Sequence, residues 1–342
     1  MNKIMTLSGL LLVLAFSSCK KSKKPERQYE TDVYVAGSVE KAGKDVATYW
    51  KNGAPVYLTD GTNASYAFSV FVSDGDVYVA GREHNGSKNV AKYWKNGIPI
   101  ALSDGTNDAE AYCIYVSDDD VYVAGRETLG FKSVAKYWKD GVSTNLTNGL
   151  NPASAASIVV QGEDVYVAGY ESNGTYDVAK CWKNNNPIVL SDGSMHGGAN
   201  DIFIDGRDIY IAGKGIYGSQ YWKNGEPVRL YQEDTGDRHA SGIFVSNGVV
   251  HAVGGGYGRS QDIVYYWKNG DPTIISKPED LATFASSIFV MDNDVYIAGT
   301  VYQSSTSTYV AQYWKNGKIT QLADGASDSN AESIFITKTA VE

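Results

Sequence analysis

Residue types that could do chemistry stand close together near position 235. The stretch holds two cations, two carboxylates and an imidazole: Arg229, Glu233, Asp237, Arg238 and His239. Two carboxylates across a cleft can hydrolyse a glycosidic bond, and a histidine base beside an arginine suits a polysaccharide lyase. A solvated charged loop has the same composition. We therefore take the stretch as a candidate ligand-binding site, with catalysis as an alternative and no residue assigned as catalytic.

Four more polar residues extend this candidate site. They stand in predicted loops of the same face, and they are Arg82, His84, Arg126 and His196. Three histidines on one face, His84, His196 and His239, could bind zinc or transfer protons. They come from three different repeat units, so we expect them to lie apart as solvated surface residues. We predict no metal site and no cofactor.

The sequence lacks the motifs of common enzyme classes. It contains no nucleophile elbow, no phosphate-binding loop, no dinucleotide-binding glycine motif and no Cys–His pairing. The run 104–108 (Asp-Gly-Thr-Asn-Asp) lacks the spaced Asp series of a calcium loop, and Asp-Gly ordinarily begins a turn. Cys113 and Cys181 belong to different repeats, so we expect two separate buried thiols. The sequence favours a binding protein over an enzyme without deciding between them.

The N-terminus has the pattern of a targeting signal. A cation precedes an apolar run from Met5 to Phe16. This run is too short for a membrane-spanning helix of about 20 residues but is typical of a signal peptide. The hexapeptide that ends at Cys19 resembles a bacterial lipoprotein signal. The resemblance implies that residues 1–18 are removed and that Cys19 is lipidated, with residues 19–31 as a flexible basic tether.

The rest of the chain repeats itself. The phrase Asp-Val-Tyr-Val-Ala-Gly begins at Asp32 and returns, with small changes, at Asp76, Asp120, Asp164, Asp208 and Asp294, with a degraded copy at 249–254. A second phrase, Tyr-Trp-Lys-Asn-Gly or a close variant, contains all 7 tryptophans: Trp50, Trp94, Trp138, Trp182, Trp222, Trp267 and Trp314. A period of about 44 residues is typical of propellers and other repeat architectures.

Each repeat contains four short runs with β propensity. In one unit these runs are 111–116, 120–125, 134–139 and 142–146. The Asn-Gly or Asp-Gly between the third and fourth runs suits a two-residue hairpin. Tyr93 and Trp94 are adjacent and therefore point to opposite faces, so neighbouring sheets must cover both faces, and the Tyr-Trp pairs are expected to pack the core rather than to stack on sugars. We predict an all-β fold, a seven-bladed β-propeller of four-stranded antiparallel blades over residues 32–342.

The two ends of the repeat region are complementary. The first unit begins at Asp32 with its second strand, and the chain finishes at 331–336 with a first strand that has no second strand after it. We predict that the C-terminal strand joins the N-terminal blade. This pairing closes the ring and removes its free edges.

The chain resembles seven-bladed β-propeller lipoproteins of Gram-negative bacteria. The resemblance rests on the signal before Cys19 and on the two repeated phrases, and it implies a lipid anchor in the outer membrane without implying an activity. We expect a binding module whose polar loop face holds a glycan, a peptide or a protein partner. The alternatives are a polysaccharide lyase or glycoside hydrolase with its site near 229–239, and a scaffold subunit of an outer-membrane complex.

Charge narrows the range of partners. The whole chain carries a net charge of −9. Nucleic-acid binding is not expected, because phosphate contacts need clustered cations. We expect contact with the membrane through the lipid anchor only, and a monomer.

Overall fold

The computed structural model describes residues 29–216, 218–230, 237–257, 262–276 and 282–340. These residues form 28 β-strands, and none of them lies in an α-helix. No helix that could span a membrane is found in the part of the chain that is described. The predicted signal peptide at 1–18 and Cys19, the predicted lipidation site, lie outside the described residues. β1 begins at Tyr29, so the first strand includes the last residues of the segment assigned to the tether.

The strands form seven antiparallel sheets of four, which we call blades 1 to 7. The first three strands are β1 (Tyr29–Lys41), β2 (Lys44–Lys51) and β3 (Ala54–Tyr57). Blade 2 contains β4 (Ser65–Ser73), β5 (Asp76–His84), β6 (Asn89–Lys95) and β7 (Ile98–Ala101). Blade 3 contains β8 (Ala109–Ser117), β9 (Asp120–Leu129), β10 (Lys132–Lys139) and β11 (Val142–Asn145). Blade 4 contains β12 (Ala153–Gln161), β13 (Asp164–Ser172), β14 (Asp177–Lys183) and β15 (Asn186–Val189).

The remaining strands follow the same plan. Blade 5 contains β16 (Gly198–Asp205), β17 (Asp208–Gly215), β18 (Gly218–Lys223) and β19 (Glu226–Arg229). Blade 6 contains β20 (Asp237–Ser246), β21 (Val249–Tyr257), β22 (Asp262–Lys268) and β23 (Asp271–Ile274). Blade 7 contains β24 (Thr283–Met291), β25 (Asp294–Gln303), β26 (Thr308–Lys315) and β27 (Lys318–Gln321). The last strand, β28 (Ser329–Ala340), pairs with β1, so blade 1 has the order β28-β1-β2-β3.

The predicted closure is confirmed. Val35 pairs with Ile334, and Tyr34 pairs with Phe335, in the register of β1 and β28. The protein is therefore a seven-bladed β-propeller whose C-terminal strand completes the blade that the N-terminus begins. Ile334 is 3% exposed and packs in a core shared with blade 7.

Two faces of the ring differ in their connections. Two-residue turns join the first strand to the second and the third to the fourth within a blade, and they share what we call the turn face. Asn52 and Gly53 both take positive φ there, at 51° and 83°, as a two-residue hairpin of the predicted type requires. The other face, which we call the loop face, carries the connections between blades and the connections from second to third strands.

The repeated Asp, Lys and Asn residues hold the turn face together. In blade 4, Lys183 lies 2.7 Å from Asp164, and the Asn184 side chain donates to Asp164 at 2.7 Å while it accepts from the backbone N–H of Val165 at 2.9 Å. The same aspartate–lysine pair recurs in blades 1, 2, 3, 5 and 7. These polar repeat positions therefore serve the blade rather than a ligand.

The repeated glycine makes room for a β-bulge in the first strand of the blade. A Cβ atom on Gly81 would lie 1.9 Å from the carbonyl oxygen of Tyr66, and one on Gly125 would lie 1.9 Å from that of Glu110. The bulge falls beside these glycines, for example between Ala67 and Ser69. Only glycine lets the two backbones approach so closely.

The core lies between blades. Trp138 of blade 3 packs in one apolar cluster with Tyr78 and Tyr93 of blade 2. Each of the seven tryptophans is at most 2% exposed. The tryptophans are thus unavailable for stacking on a sugar, and the prediction that the Tyr-Trp pairs pack between blades is confirmed.

Candidate functional site

Two predicted site residues, Arg82 and Arg126, meet at one carboxylate on the loop face. Both arginines pair with Glu110, and the Nη2 atom of Arg126 lies 2.7 Å from its carboxylate. The Tyr112 hydroxyl donates to the same carboxylate. The glutamate side chain is only 8% exposed, so the two guanidinium groups compensate a charge that would otherwise be buried alone.

The loops predicted to carry Arg82 and Arg126 are strands in the structure. Arg82 lies in β5 and Arg126 lies in β9, because the second and third strands continue their ladder toward the loop face. Extending the ladder pairs backbone groups that a loop would leave to water. The connection from β9 to β10 is then only Gly130 and Phe131.

Tyr66 joins this arginine cluster to a neighbouring cleft. The Arg82 guanidinium lies 4.6 Å from the centre of the Tyr66 ring, which is a cation–π distance. The Tyr66 hydroxyl donates to the Oδ2 atom of Asp45. Burial, followed by the hydrogen bond to this carboxylate, raises the pKa of Tyr66 to about 12. The tyrosine therefore stays neutral and remains a donor at physiological pH.

The cleft beside Tyr66 opens where the two ends of the ring meet, and we call it the closure cleft. Its volume is about 470 Å³. Blades 1, 2 and 7 and the loop before β28 supply its walls: Asp45, Tyr66, Phe284, Ser286, Thr300, Tyr309, Asp328, Ser329, Asn330 and Glu332. None of these described lining residues is a lysine or an arginine. A smaller cavity of about 270 Å³ shares Phe284, Ser286 and Glu332 with it and extends to His239.

Aromatic rings form the exposed wall of the closure cleft. Phe284 is 36% exposed and Tyr309 is 40% exposed, and their ring centres are 6.5 Å apart. Exposed aromatic rings at a binding face offer flat apolar area with little conformational entropy to lose. Asn330 stands on the neighbouring strand, where its Oδ1 atom accepts from the backbone N–H of Ser38 at 2.9 Å.

Three carboxylates line the same cleft: Asp45, Asp328 and Glu332. Asp328 accepts from the backbone N–H of Tyr309 at 2.8 Å, and Asp45 accepts from Tyr66. Burial raises the pKa of Glu332, and a hydrogen bond from Ser286 opposes this rise. A ligand in the cleft would therefore meet both acceptor oxygens and aromatic rings.

The stretch 229–239 is not a single site. Arg229 is exposed at the end of the outer strand β19, whereas Arg238 is fully buried within blade 6. The Arg238 guanidinium lies 5.3 Å from the centre of the Tyr265 ring and donates to the carbonyl oxygen of Ile263 at 3.3 Å. Glu233 lies outside the described residues, and of Asp237 the structure describes the backbone alone.

Burial of Arg238 corrects its assignment to a ligand-binding loop. In blade 3, Ala109 stands at the position equivalent to Arg238, and an ion pair between Lys136 and Glu127 lies nearby. Blade 6 has Tyr265 in place of the lysine, and Arg238 supplies the cation from the first strand instead. The arginine therefore replaces a repeated ion pair inside the blade, and it is not accessible to a ligand.

The three candidate histidines belong to three blades. His84 ends β5, and its Nδ1 atom accepts from the backbone N–H of Gly86 at 3.0 Å. His196 is exposed in the loop before β16, 3.3 Å from Asp177. His239 lies in β20 beside the closure cleft. In the part of the chain that the structure describes, no three His, Cys, Asp or Glu residues are grouped to hold a metal ion.

The central channel is built from the first strands of the blades. Its cavity measures about 290 Å³. Aromatic rings from neighbouring blades contact one another near the turn face: Tyr115, Phe71, Phe335, Phe289, Phe244 and Phe203. Deeper in the channel, Asp201 accepts from Ser157 at 3.0 Å and from the backbone N–H of Ile243 at 2.9 Å. Cys113 lines this channel and Cys181 packs in the core, and both are free thiols.

Sequence reasoning missed the residues that build the closure cleft. Tyr66, Phe284 and Glu332 lie in first strands, at or beside the β-bulge, and so does Glu110 of the arginine cluster. Their signal in the sequence is variation, because these bulge positions differ between repeats while the flanking alanine and the Ile or Val are kept. A position that varies within an otherwise regular repeat is free to face a ligand.

Comparisons with known proteins support the fold and leave the ligand open. No family model matches the sequence, and no curated protein matches it. A prolyl endopeptidase structure is 13% identical with a TM-score of 0.50, over 91% of this chain and 50% of that chain. TolB from Acinetobacter baumannii is 9% identical with a TM-score of 0.48, over 70% of this chain and 63% of that chain.

A third similar structure is the extracellular domain of BT4673 from B. thetaiotaomicron. It is 11% identical with a TM-score of 0.47, over 78% of this chain and 37% of that chain. The chain thus spans half of the prolyl endopeptidase and about a third of the BT4673 domain. At 13% identity, the similarity to the prolyl endopeptidase structure shows the fold alone.

Proposed function

We propose that this protein is a non-enzymatic binding module that holds a glycan in the closure cleft. The observation that carries the proposal is that exposed aromatic rings, Phe284 and Tyr309, and acceptor side chains line one open cleft. A sugar ring has an apolar face that packs on aromatic rings and hydroxyl groups that donate to carboxylates. The rigid blades preorganise both sets of groups, which lowers the entropy cost of binding.

Charge narrows the class of glycan. Asp45, Asp328 and Glu332 line the cleft without a lysine or an arginine among the lining residues. A uronic acid or a sulfated sugar would be repelled by these carboxylates. The expected ligand is therefore a neutral glycan or one that carries an amino group.

The predicted lipid anchor would turn the cleft away from the membrane. β1 runs from the turn face to the loop face, so its first residue, Tyr29, emerges at the turn face. Residues 19–28 span at most about 35 Å when extended. An anchor at Cys19 would hold the turn face toward the outer membrane and present the closure cleft to the solvent. Basic residues of the tether would favour anionic headgroups.

Binding to an array of neutral, amino and acidic glycans tests the proposal. Wild type is expected to bind neutral or amino glycans, and Tyr309→Ala and Phe284→Ala are each expected to weaken binding at least tenfold. Tyr57→Ala is the matched control, since Tyr57 is 45% exposed on the outer strand of blade 1, away from the cleft. Absence of binding to every glycan, or equal loss in the control, would contradict the proposal.

A glycoside hydrolase is the second candidate, and the position of Glu332 favours it. A carboxyl whose pKa is raised by burial, in a cleft with other carboxylates, is the arrangement of a general acid beside a base or nucleophile. This site differs from the one expected near 229–239. If bound glycans are cleaved, Glu332→Gln should abolish cleavage and keep binding, whereas a binding module shows no cleavage in either form.

A further inference from the structure

The outer rim of blade 3 lacks the protection that the other blades carry. Outer strands present unpaired backbone groups, and natural sheets block them with proline or charge. Five outer strands have proline at their second residue: Pro55, Pro99, Pro187, Pro227 and Pro272. The two other outer strands, β11 and β27, have Ser143 and Ile319 at this position, and β27 begins with the charged residue Lys318. Among the seven outer strands, all of which the structure describes, β11 alone has neither proline nor charge.

The free backbone groups of β11 point outward. The backbone N–H of Leu146 donates to the carbonyl oxygen of Ala135 at 2.8 Å, which fixes a hydrogen-bonded pair between these residues. Hydrogen-bonded pairs alternate along an antiparallel ladder. Ser143 and Asn145 therefore turn their N–H and C=O groups away from β10. Five other blades have proline at the position of Ser143. Proline lacks a backbone N–H, and no hydrogen bond to the third strand is lost there because this N–H would point away from it.

Apolar side chains stand at both ends of this edge. Val142 is 72% exposed at the turn-face end. At the loop-face end Leu150 is 68% exposed, Leu129 is 45% exposed, and Phe131 is fully exposed on the tip of its hairpin. Lys132 lies at the same end and donates to the carbonyl oxygen of Leu150, whereas Asp140 lies exposed at the turn-face end.

We propose that β11 pairs edge to edge with β11 of a second copy of this chain. A two-fold axis through Thr144 places Ser143 of one copy opposite Asn145 of the other, and each pair exchanges two backbone hydrogen bonds. Antiparallel pairing brings the loop-face end of one copy beside the turn-face end of the other. Lys132 then faces the partner's Asp140, and Leu150 approaches the partner's Val142, so charge and apolar area are both self-complementary.

The interface is small, so the dimer is weak. One four-residue strand and a few apolar side chains bury less than the roughly 1,200 Å² at which stable interfaces begin. An interface of this size is typical of weak, transient association. A protein held on a membrane surface would reach the local concentrations that such a dimer needs.

Sedimentation velocity over a wide concentration range tests the proposal on residues 19–342 with Cys19→Ser, which removes the lipid site and keeps every described residue. The chain with Cys19→Ser as its only change should form a dimer whose fraction rises with concentration. Adding Ser143→Pro should raise the dissociation constant of this dimer at least tenfold. Ile319→Pro, at the same position of β27, is the matched control and should leave the dimer unchanged. The Tm of both proline variants, measured alongside, separates lost association from lost folding.

A cross-link provides a second test that does not depend on proline. Thr144 lies on the proposed axis in a pair without hydrogen bonds, where side chains approach within disulfide range. Thr144→Cys should form a disulfide-linked dimer under mild oxidation, and Thr320→Cys, at the same position of β27, should not. If the protein were monomeric at every concentration, the proposal would be overturned. Equal cross-linking of both cysteine variants would overturn it too.

Discussion

The backbone N–H of Ser38 donates to the Oδ1 atom of Asn330 at 2.9 Å across 292 residues of sequence. This bond joins the second strand of blade 1 to the first strand of the same blade, contributed by opposite ends of the chain. Asn330 also lines the closure cleft. Closure of the ring and formation of the cleft are therefore one structural event.

Weakening the closing strand should unfold the whole ring. Ile334 is 3% exposed between blades 1 and 7, so Ile334→Ala is expected to cost about 2–5 kcal/mol of unfolding free energy. Ile98→Ala, at a position 67% exposed on an outer strand, should change it by less than about 0.5 kcal/mol. Chemical denaturation measures both. Similar values for the two variants would show that the closing strand contributes little.

The turn-face asparagine should be replaceable by aspartate and not by alanine. Asn184 accepts from the backbone N–H of Val165, and blade 3 places Asp140 in the same role toward Val121. Asn184 also has a positive φ of 48°, which alanine adopts poorly. Asn184→Ala should cost about 1–2 kcal/mol, whereas Asn184→Asp should cost much less. Equal Tm values for the two variants would contradict this explanation of the repeat.

His251 should make stability depend on pH in the acidic range. Burial, with a smaller contribution from Lys268, lowers the pKa of His251 below its ordinary value of 6.5. The unfolded chain then takes up a proton before the folded protein does, so this contribution to stability is present above pH 6.5 and is lost as the pH falls through the folded pKa.

The substitution His251→Tyr tests this dependence, because tyrosine stands at this position in the other blades. The stability of the variant relative to wild type should rise as the pH falls below 6.5. Ile98→Ala is the control, since it removes no titratable group and should follow the wild-type pH profile. Thermal unfolding at a series of pH values measures these differences. If the Tm of His251→Tyr differed from that of wild type by the same amount at every pH, the prediction would be wrong.

Asp201 should act in the opposite direction. Burial raises its pKa from 3.8 to about 6, although its backbone and Ser157 donors oppose the rise. The folded protein holds the proton more tightly, so this contribution is full below about pH 4 and is lost as the pH rises through 6. Asp201→Ser, which restores the residue of blades 1, 2, 4 and 7, should gain about 1–3 kcal/mol relative to wild type between pH 4 and 7. If the difference in unfolding free energy between Asp201→Ser and wild type did not change with pH, this prediction would be wrong.

Local repetition determined the architecture from the sequence. Asn-Gly turns, alternating β-type runs and the regular tryptophans each act over a few residues, so their pattern predicts a blade directly. The count of blades followed from the seven copies of the repeated phrases. The pairing of the two chain ends followed from the incomplete first and last units, and Val35 opposite Ile334 confirms that pairing.

Only the tertiary structure decided which polar residues share a site. Arg238 looked accessible in a charged stretch, yet blade 6 buries it where Tyr265 replaces the lysine of blades 2, 3 and 4. Glu110 looked like an ordinary strand residue, yet it joins Arg82 to Arg126 across two blades. The closure cleft joins residues from both ends of the chain, and such contacts depend on how the blades pack around the ring rather than on any local pattern of residues.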